Sequence, residues 1–233
     1  VKALLLVAGL LLVGDGRRSG FDDMSPALQA MQRDDAQNPA LLWVEQGAER
    51  FAAQCASCHA AEKLNGVVAR YPALVDGQVM NLAQRINRCR TGDPAWGEDE
   101  QAMLALTAYL GRLTRGSPIS PGKEAAMLEA QRQGERWYRR SLGQLGLSCA
   151  QCHDDQAGRR LAGSLIPQAH PTGYPVYRLE WQGMGSLQRR LRACMIGVRA
   201  EPFAADDPAW VQLEAYLKRR AAGMAIDAPA IRP

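Results

Sequence analysis

Apolar positions along this chain fall into a helical rhythm in several stretches, separated by polar, irregular ones. From 41 to 54, Leu42, Trp43, Gly47 and Phe51 gather near one face of a predicted helix, and from 101 to 113 Met103, Leu106, Tyr109 and Leu110 recur at helical spacing. Residues 17–38 are polar and irregular, although Ser25-Pro26 is placed to start a short helix at Ala27. Gly116-Ser117-Pro118-Ile119-Ser120-Pro121-Gly122 breaks all periodicity and reads as a linker. The tail, residues 226–233, is equally aperiodic and reads as an extended or mobile end.

The half of the chain after the linker repeats the half before it. Gln133-Gly134-Glu135-Arg136 answers Gln46-Gly47-Ala48-Glu49-Arg50, and Leu187-Gln188-Arg189-Arg190-Leu191-Arg192-Ala193-Cys194 answers Leu82-Ala83-Gln84-Arg85-Ile86-Asn87-Arg88-Cys89. Asp93-Pro94-Ala95-Trp96 recurs as Asp207-Pro208-Ala209-Trp210, and Ala108-Tyr109-Leu110 as Ala215-Tyr216-Leu217. The period is a whole domain and there are two copies, so this is an internal duplication and not a solenoid. The expected architecture is mainly α: an N-terminal domain at 17–115, a linker at 116–123 and a C-terminal domain at 124–233, with short strands around Tyr174 to Leu179. The apolar run from Ala3 to Val13 is too short to span a bilayer. It has the form of a secretory signal covering residues 1–16, the other reading being a buried first helix.

Each copy holds a Cys-x-x-Cys-His, as Cys55-Ala56-Ser57-Cys58-His59 and as Cys149-Ala150-Gln151-Cys152-His153, the second delayed by seven residues relative to its glycine. Such a motif attaches c-type haem. Two thiols one short turn apart can both form thioethers to a porphyrin, and the next residue brings an imidazole under the iron. A redox Cys-x-x-Cys or half a zinc site would need further Cys or His, of which the chain has few. Two covalently bound haem c groups are therefore expected, held by Cys55, Cys58, Cys149 and Cys152 with His59 and His153 on the iron. Both units then become tandem class I cytochrome c-like domains, in which a glycine and an aromatic let a C-terminal helix cross the first. A buried porphyrin also helps fill the core of a chain with three Phe, five Trp and six Tyr.

The other axial ligand decides function. His170 is the one spare histidine, and Met80, Met184 and Met195 are candidates by position. The duplication speaks against the methionines, which have no counterparts in register, whereas Cys89 and Cys194 fall opposite one another. Distal ligation by Cys89 and Cys194 is the expectation. A Cys89 to Cys194 disulfide or two inert thiols are the alternatives. Thiolate ligation implies a low potential, which suits a simple electron carrier poorly.

Net charge is only +4, but of 28 basic residues only Lys2, Lys63, Lys123 and Lys218 are lysine. Arginine binds oxyanions in a bidentate way, and a compositional bias toward arginine is the other reading. No basic run is interleaved with aromatics, so nucleic acid is not an expected partner. On a helix through Cys194, Arg190 lies one turn below the sulfur, placed to lower its pKa, to hold an anion or to pair with a haem propionate. Arg189, Arg192 and Arg199 crowd the same region and have no equivalent set in the first half. His170 is a candidate proton donor.

Together these residues resemble the SoxA subunits of the SoxAX cytochromes, in the dihaem form. The resemblance rests on Met24-Ser25-Pro26, Leu28-Gln29-Ala30-Met31-Gln32, Asn38-Pro39, both haem motifs, residues 174–182, Gly185-Ser186-Leu187, Cys194-Met195 and Arg199-Ala200-Glu201-Pro202-Phe203. It implies that Cys194 is both distal ligand and catalytic residue, carried as a persulfide or thiosulfonate, and that Arg190 binds substrate. It further implies a periplasmic thiosulfate-oxidising transferase, an L-cysteine S-thiosulfotransferase. Such an enzyme conjugates thiosulfate to a cysteine of SoxY in SoxYZ and passes electrons to a SoxX partner cytochrome in a heterodimer. A dihaem thiosulfate dehydrogenase forming tetrathionate and a non-enzymatic dihaem electron carrier are the alternatives.

Overall fold

The structure is a computed structural model and describes residues 16–90 and 94–233. The expected leader lies outside the described residues apart from Gly16, as does Asp93 of the repeated Asp-Pro-Ala-Trp. Ser25 starts α1 (Pro26–Arg33) by accepting a hydrogen bond from the Leu28 N–H, with Pro26 in the first turn, where no N–H is needed. The first half continues with α2 (Leu41–Gln54), α3 (Leu82–Cys89) and α4 (Gln101–Thr114). The second half holds α5 (Ala125–Arg139), α6 (Cys149–His153), α7 (Leu187–Gly197) and α8 (Ala209–Arg220).

Helices α2 and α4 cross where Gly47 leaves room for the Ala105 carbonyl, and α5 and α8 cross where Gly134 leaves room for that of Gln212. A Cβ at either glycine would stand 2.7 Å from the Cβ of a tyrosine, Tyr109 or Tyr216. One turn further along, Phe51 packs on Tyr109 with ring centroids 5.3 Å apart, and Tyr138 packs on Tyr216 at 5.1 Å. The sequence repeat is thus a repeated helix crossing. The apolar face of α2 differs from the expected one: Val44, Gly47 and Phe51 are buried, while Leu42 is 59% exposed. Positions 44, 47 and 51 follow the i, i+3, i+7 rule, and Leu42 lies off that stripe.

Short strands form two equivalent hairpins and one small extra one. β1 (Ala73–Val75) and β2 (Gln78–Met80) pair through Asp76-Gly77, both left-handed at φ 46° and 81°, which is the geometry of a two-residue hairpin turn. β3 (Arg160–Leu161) and β4 (Ser164–Leu165) form the extra hairpin. β5 (Val176–Arg178) and β6 (Gly183–Gly185) are the second-half counterpart of β1 and β2, at the place the sequence marks for strands. Each hairpin packs on the opposite half. Val79 lies against Met127, Ala130 and Ala215 of the second half, and Met184 against Ala40, Val44, Leu104 and Ala108 of the first.

The tail is extended but not mobile. β7 (Ala230–Arg232) joins β5 as a parallel strand, and Ala228, Ala230 and Ile231 are fully buried. Its aperiodic sequence follows from burial on both faces. Residues of the tail and of the stretch at 116–123 bond side by side: Gly116 N–H to Ile226 O at 2.8 Å, Ile226 N–H to Ser117 O at 2.9 Å. Ile119, Ile226 and Ala228 complete the core formed by Phe51, Val68, Leu106 and Leu110 of the first half. No helix of the described residues is long and apolar enough to cross a membrane.

Candidate functional site

The second Cys-x-x-Cys-His is set up by its own sequence. Ser148 caps α6 by accepting from the Gln151 N–H, and Gln151 accepts in return from the Ser148 N–H, so Cys149, Cys152 and His153 sit on one short, pinned helix. Nδ1 of His153 lies 2.7 Å from the Pro167 carbonyl. A carbonyl can only accept, so Nδ1 carries the proton and Nε2 is left as the metal-binding nitrogen. Burial holds the His153 imidazole below its ordinary pKa, which also favours the neutral, ligating form. Next to it, Tyr138 donates to Asp154 at 2.8 Å and Arg220 pairs with the same carboxylate oxygen at 2.6 Å.

Ser186 caps α7 by accepting from the Arg189 N–H. Leu187 and Leu191 of α7 pack on the cluster around Tyr138, Leu213 and Tyr216 together with Cys149, which turns the face that also bears Arg190 and Cys194 toward the motif. The Cys149 thiol is pushed up to about 11, first by burial and next by the neighbouring Cys194 sulfur. The first half shows the same relation: burial and then the Cys89 sulfur raise the Cys55 thiol. All six cysteines are free, so a Cys89 to Cys194 disulfide is not formed, and each unpaired cysteine stands beside the first cysteine of its own motif.

The methionines are placed otherwise. Met184 is core packing against the first half, Met195 is buried, and the Met80 sulfur lies 4.0 Å from the Arg88 guanidinium. His170 donates from Nδ1 to the Arg18 carbonyl at 2.8 Å and lines a cleft with His153, Asp154, Gln168 and Arg220.

An arginine stands one turn below each free cysteine, and the charge of Arg85 is felt by Tyr71, whose phenol it lowers against the effect of burial. Arg190 makes no side-chain hydrogen bond, ion pair or ring contact among the described residues, although its charge is felt by His153, Tyr174 and Arg178. Its neighbours are occupied: Arg189 lies over the Trp181 ring at 4.1 Å, and Arg192 over Trp210 at 5.8 Å. Arg199 is exposed at the end of α7, where Gly143 of the seven-residue insertion abuts its backbone.

Sequence reasoning overlooked Tyr71 and Tyr174. Each precedes a proline and opens the hairpin of its half, and each is partly buried near the arginine and free cysteine of that half, the burial pushing the phenol up. The repeated Tyr-Pro was the available signal. Also overlooked were the Pro167 carbonyl and a polar group formed by Asn81, Glu98, Glu214 and Lys218, whose members are too far apart in sequence to form a motif.

The motif thiols, an imidazole with its tautomer fixed and a further thiol beside the site fit a covalently attached haem. Comparison with known proteins agrees. The family described as SoxA/TsdA, cytochrome c domain, matches residues 40–119 and 133–226. The L-cysteine S-thiosulfotransferase subunit SoxA of Rhodovulum sulfidophilum is 32% identical, over 94% of this chain and 81% of the relative, and that of Paracoccus pantotrophus is 29% identical, over 92% and 78%. A SoxXA crystal structure from P. pantotrophus superposes with a TM-score of 0.89 at 29% identity, covering 93% of this chain and 87% of that one. Helix crossings, paired motifs and these likenesses converge: the chain belongs to the SoxA/TsdA cytochrome c family, as a SoxA-type member, with haem c as its covalently bound group.

Proposed function

We propose that this chain is the catalytic subunit of an L-cysteine S-thiosulfotransferase, with Cys194 and Arg190 as its reacting and substrate-binding residues. The observation that carries this is the place of Arg190, one turn from Cys194 with no side-chain hydrogen bond, ion pair or ring contact among the described residues, while Arg189 and Arg192 beside it are held on aromatic rings. An unpaired, partly buried guanidinium is an oxyanion site in waiting.

Two haem c groups would be held, one by Cys55, Cys58 and His59 and one by Cys149, Cys152 and His153, with Cys89 and Cys194 as the further thiols that would bind iron. Bound haem c supplies the one-electron acceptor that the oxidation needs. Arg190 holds the sulfonate end of thiosulfate and offsets the repulsion between the dianion and the Cys194 thiolate. A bond forms between the Cys194 sulfur and the sulfane sulfur, and two electrons leave one at a time, giving Cys194–S–S–SO3⁻. The thiolate of a carrier cysteine, of the SoxY kind in SoxYZ, then attacks the sulfane sulfur. The carrier leaves with the S–SO3⁻ group and Cys194 returns as thiolate.

A SoxX-type cytochrome is the proposed electron-accepting partner in a heterodimer, as the name of the SoxXA neighbour suggests. The periplasm is the proposed compartment, with residues 1–16 as the signal.

Peptide mass spectrometry tests this on protein treated with thiosulfate and an oxidant, before and after a thiol reductant. The expected result is a reducible sulfur or thiosulfonate adduct on the Cys194 peptide and none on the Cys89 peptide. Unmodified Cys194 under every condition would overturn the reading in favour of an electron carrier. Tetrathionate released without any carrier would favour a thiosulfate dehydrogenase.

A further inference from the structure

Where the two halves meet, beneath both tyrosines, lies a polar group that the proposed chemistry does not use. Asn81, the cap of α3, donates to Glu98 at 2.5 Å and stands close enough to Glu214 of α8 to lower its carboxyl against burial. One turn on, Lys218 is only 4% exposed and forms no ion pair or side-chain hydrogen bond among the described residues. Its charge is felt by Glu214, and it feels in turn the charges of Glu214 and of Asp227 of the tail. These side chains line a cavity of about 70 Å³ with Tyr71 on one side and Tyr174 on the other, closed by Thr107, Ser186, Leu82 and Leu187. That volume admits a few water molecules.

Two carboxylates and one ammonium in such a place do not all stay charged. Burial first, and the Glu214 charge next, push Glu98 up to about 7, against the lowering effect of the Asn81 hydrogen bond. Burial raises Glu214 and lowers Lys218 as well. The other titratable groups facing the cluster are few. Asp99, beside Glu98, adds negative charge while accepting from the Ser186 N–H at 3.0 Å. Asp227 faces Lys218 and is paired with Arg232 at 2.7 Å. Tyr71 and Tyr174 are phenols that burial pushes further above their ordinary range. Burial thus favours protonation of the carboxylate pair, with Glu98 poised near neutral pH.

Each tyrosine thus lines the cavity and also feels the charge of the arginine and free cysteine of its half, Arg85 and Cys89 for Tyr71, Arg190 and Cys194 for Tyr174. We propose that Glu98, Glu214, Asn81 and Lys218 form a proton-binding site linked to the charge of both haem centres, taking up a proton from solvent when an electron is added to either and releasing it when the electron leaves. At most one proton moves per electron. The reductant in turnover is the thiosulfate and thiol pair, whose conjugation itself liberates a proton, and the oxidant is the partner cytochrome. The inference rests on haem at the two motifs and not on the thiosulfate reading, so it is tested with no thiosulfate present.

The test is a spectroelectrochemical titration of the haem-loaded protein from about pH 5.5 to about pH 8.5, with proton uptake on reduction followed by an indicator dye in weakly buffered solution. The expected result is a midpoint that falls with rising pH around 7, and proton uptake largest there. In Glu98→Gln, with an unchanged haem spectrum, both fall by more than half. No uptake by the unaltered protein, or the same uptake by Glu98→Gln, would overturn the inference by assigning the proton elsewhere. Infrared difference spectra of the unaltered protein serve if the variant does not fold. A protonated-carboxyl band that gains on reduction near pH 7 supports the site, and its absence overturns it.

Discussion

Gly134 of α5 lies against the backbone of Gln212 in α8, its missing side chain leaving just the space that the Gln212 carbonyl fills. A methyl group there has nowhere to go, because the obstacle is backbone and the Tyr216 Cβ stands 2.7 Å away. Gly134→Ala is expected to cost about 2–3 kcal/mol in chemical denaturation, by forcing the two helices apart. Tyr138 and Tyr216 would separate with them, so the haem spectrum of the second centre should change while that of the first does not. Gly47→Ala should do the converse.

Arg190→Ala is expected to lower kcat/KM for thiosulfate by about 10- to 100-fold, the value of a charge-assisted hydrogen bond. Arg190→Lys should recover only part of this, since a lysine cannot offer two parallel donors. Arg85→Ala should leave kcat/KM within about twofold and act instead on Tyr71. Steady-state kinetics on the three variants checks the asymmetry. Equal losses at 85 and 190 would remove the basis for placing substrate in the second half.

Ile231 is fully buried in β7, and its N–H donates to the buried Gln32 side chain at 3.0 Å. Ile231→Ala is expected to cost about 2–4 kcal/mol in urea unfolding. Gln32→Ala should cost about 1–3 kcal/mol by leaving that donor unsatisfied. A mobile tail would show neither loss.

The proton on Glu98 has a signature in stability as well. Its folded-state pKa of about 7 exceeds the ordinary 4.5, so the folded protein binds a proton that the unfolded chain gives up. The stabilisation from that proton is complete below about pH 4.5, declines as pH rises, and is gone above about 7. Glu98→Gln should therefore gain on the unaltered protein by about 1–3 kcal/mol between pH 5 and pH 8 in urea unfolding. A difference that does not grow with pH would place the carboxylate in water.

The repeat was legible because a close helix crossing demands a glycine and fixes the spacing to its partners. Gly47 and Gly134, with Tyr109 and Tyr216, stand at matching distances in sequence for that reason. The same register singles out Cys89 and Cys194 as the matched pair outside the two motifs. The exchange of hairpins was not legible, since Val79 and Met184 are as apolar whichever helix pair they pack on. Nor was the tail, because a short strand buried on both faces carries no alternation for a periodicity argument to find. The cavity group was hidden for a different reason. Asn81, Glu98, Glu214 and Lys218 look like ordinary surface residues of two helices and a loop until the halves are brought together.

The stretch at 116–123 and the tail close over the core of the first helix pair, supplying Ile119, Ile226 and Ala228 to the cluster around Phe51 and Leu106. In evolutionary terms the two copies have ceased to be separable parts. A descendant of this chain is free to replace Cys55, Cys58, His59 and Cys89, none of which lies in the buried core of the first copy. It is not free to discard the copy itself. Each copy has become part of the ground on which the other stands, and selection on the fold of one preserves the other as structure.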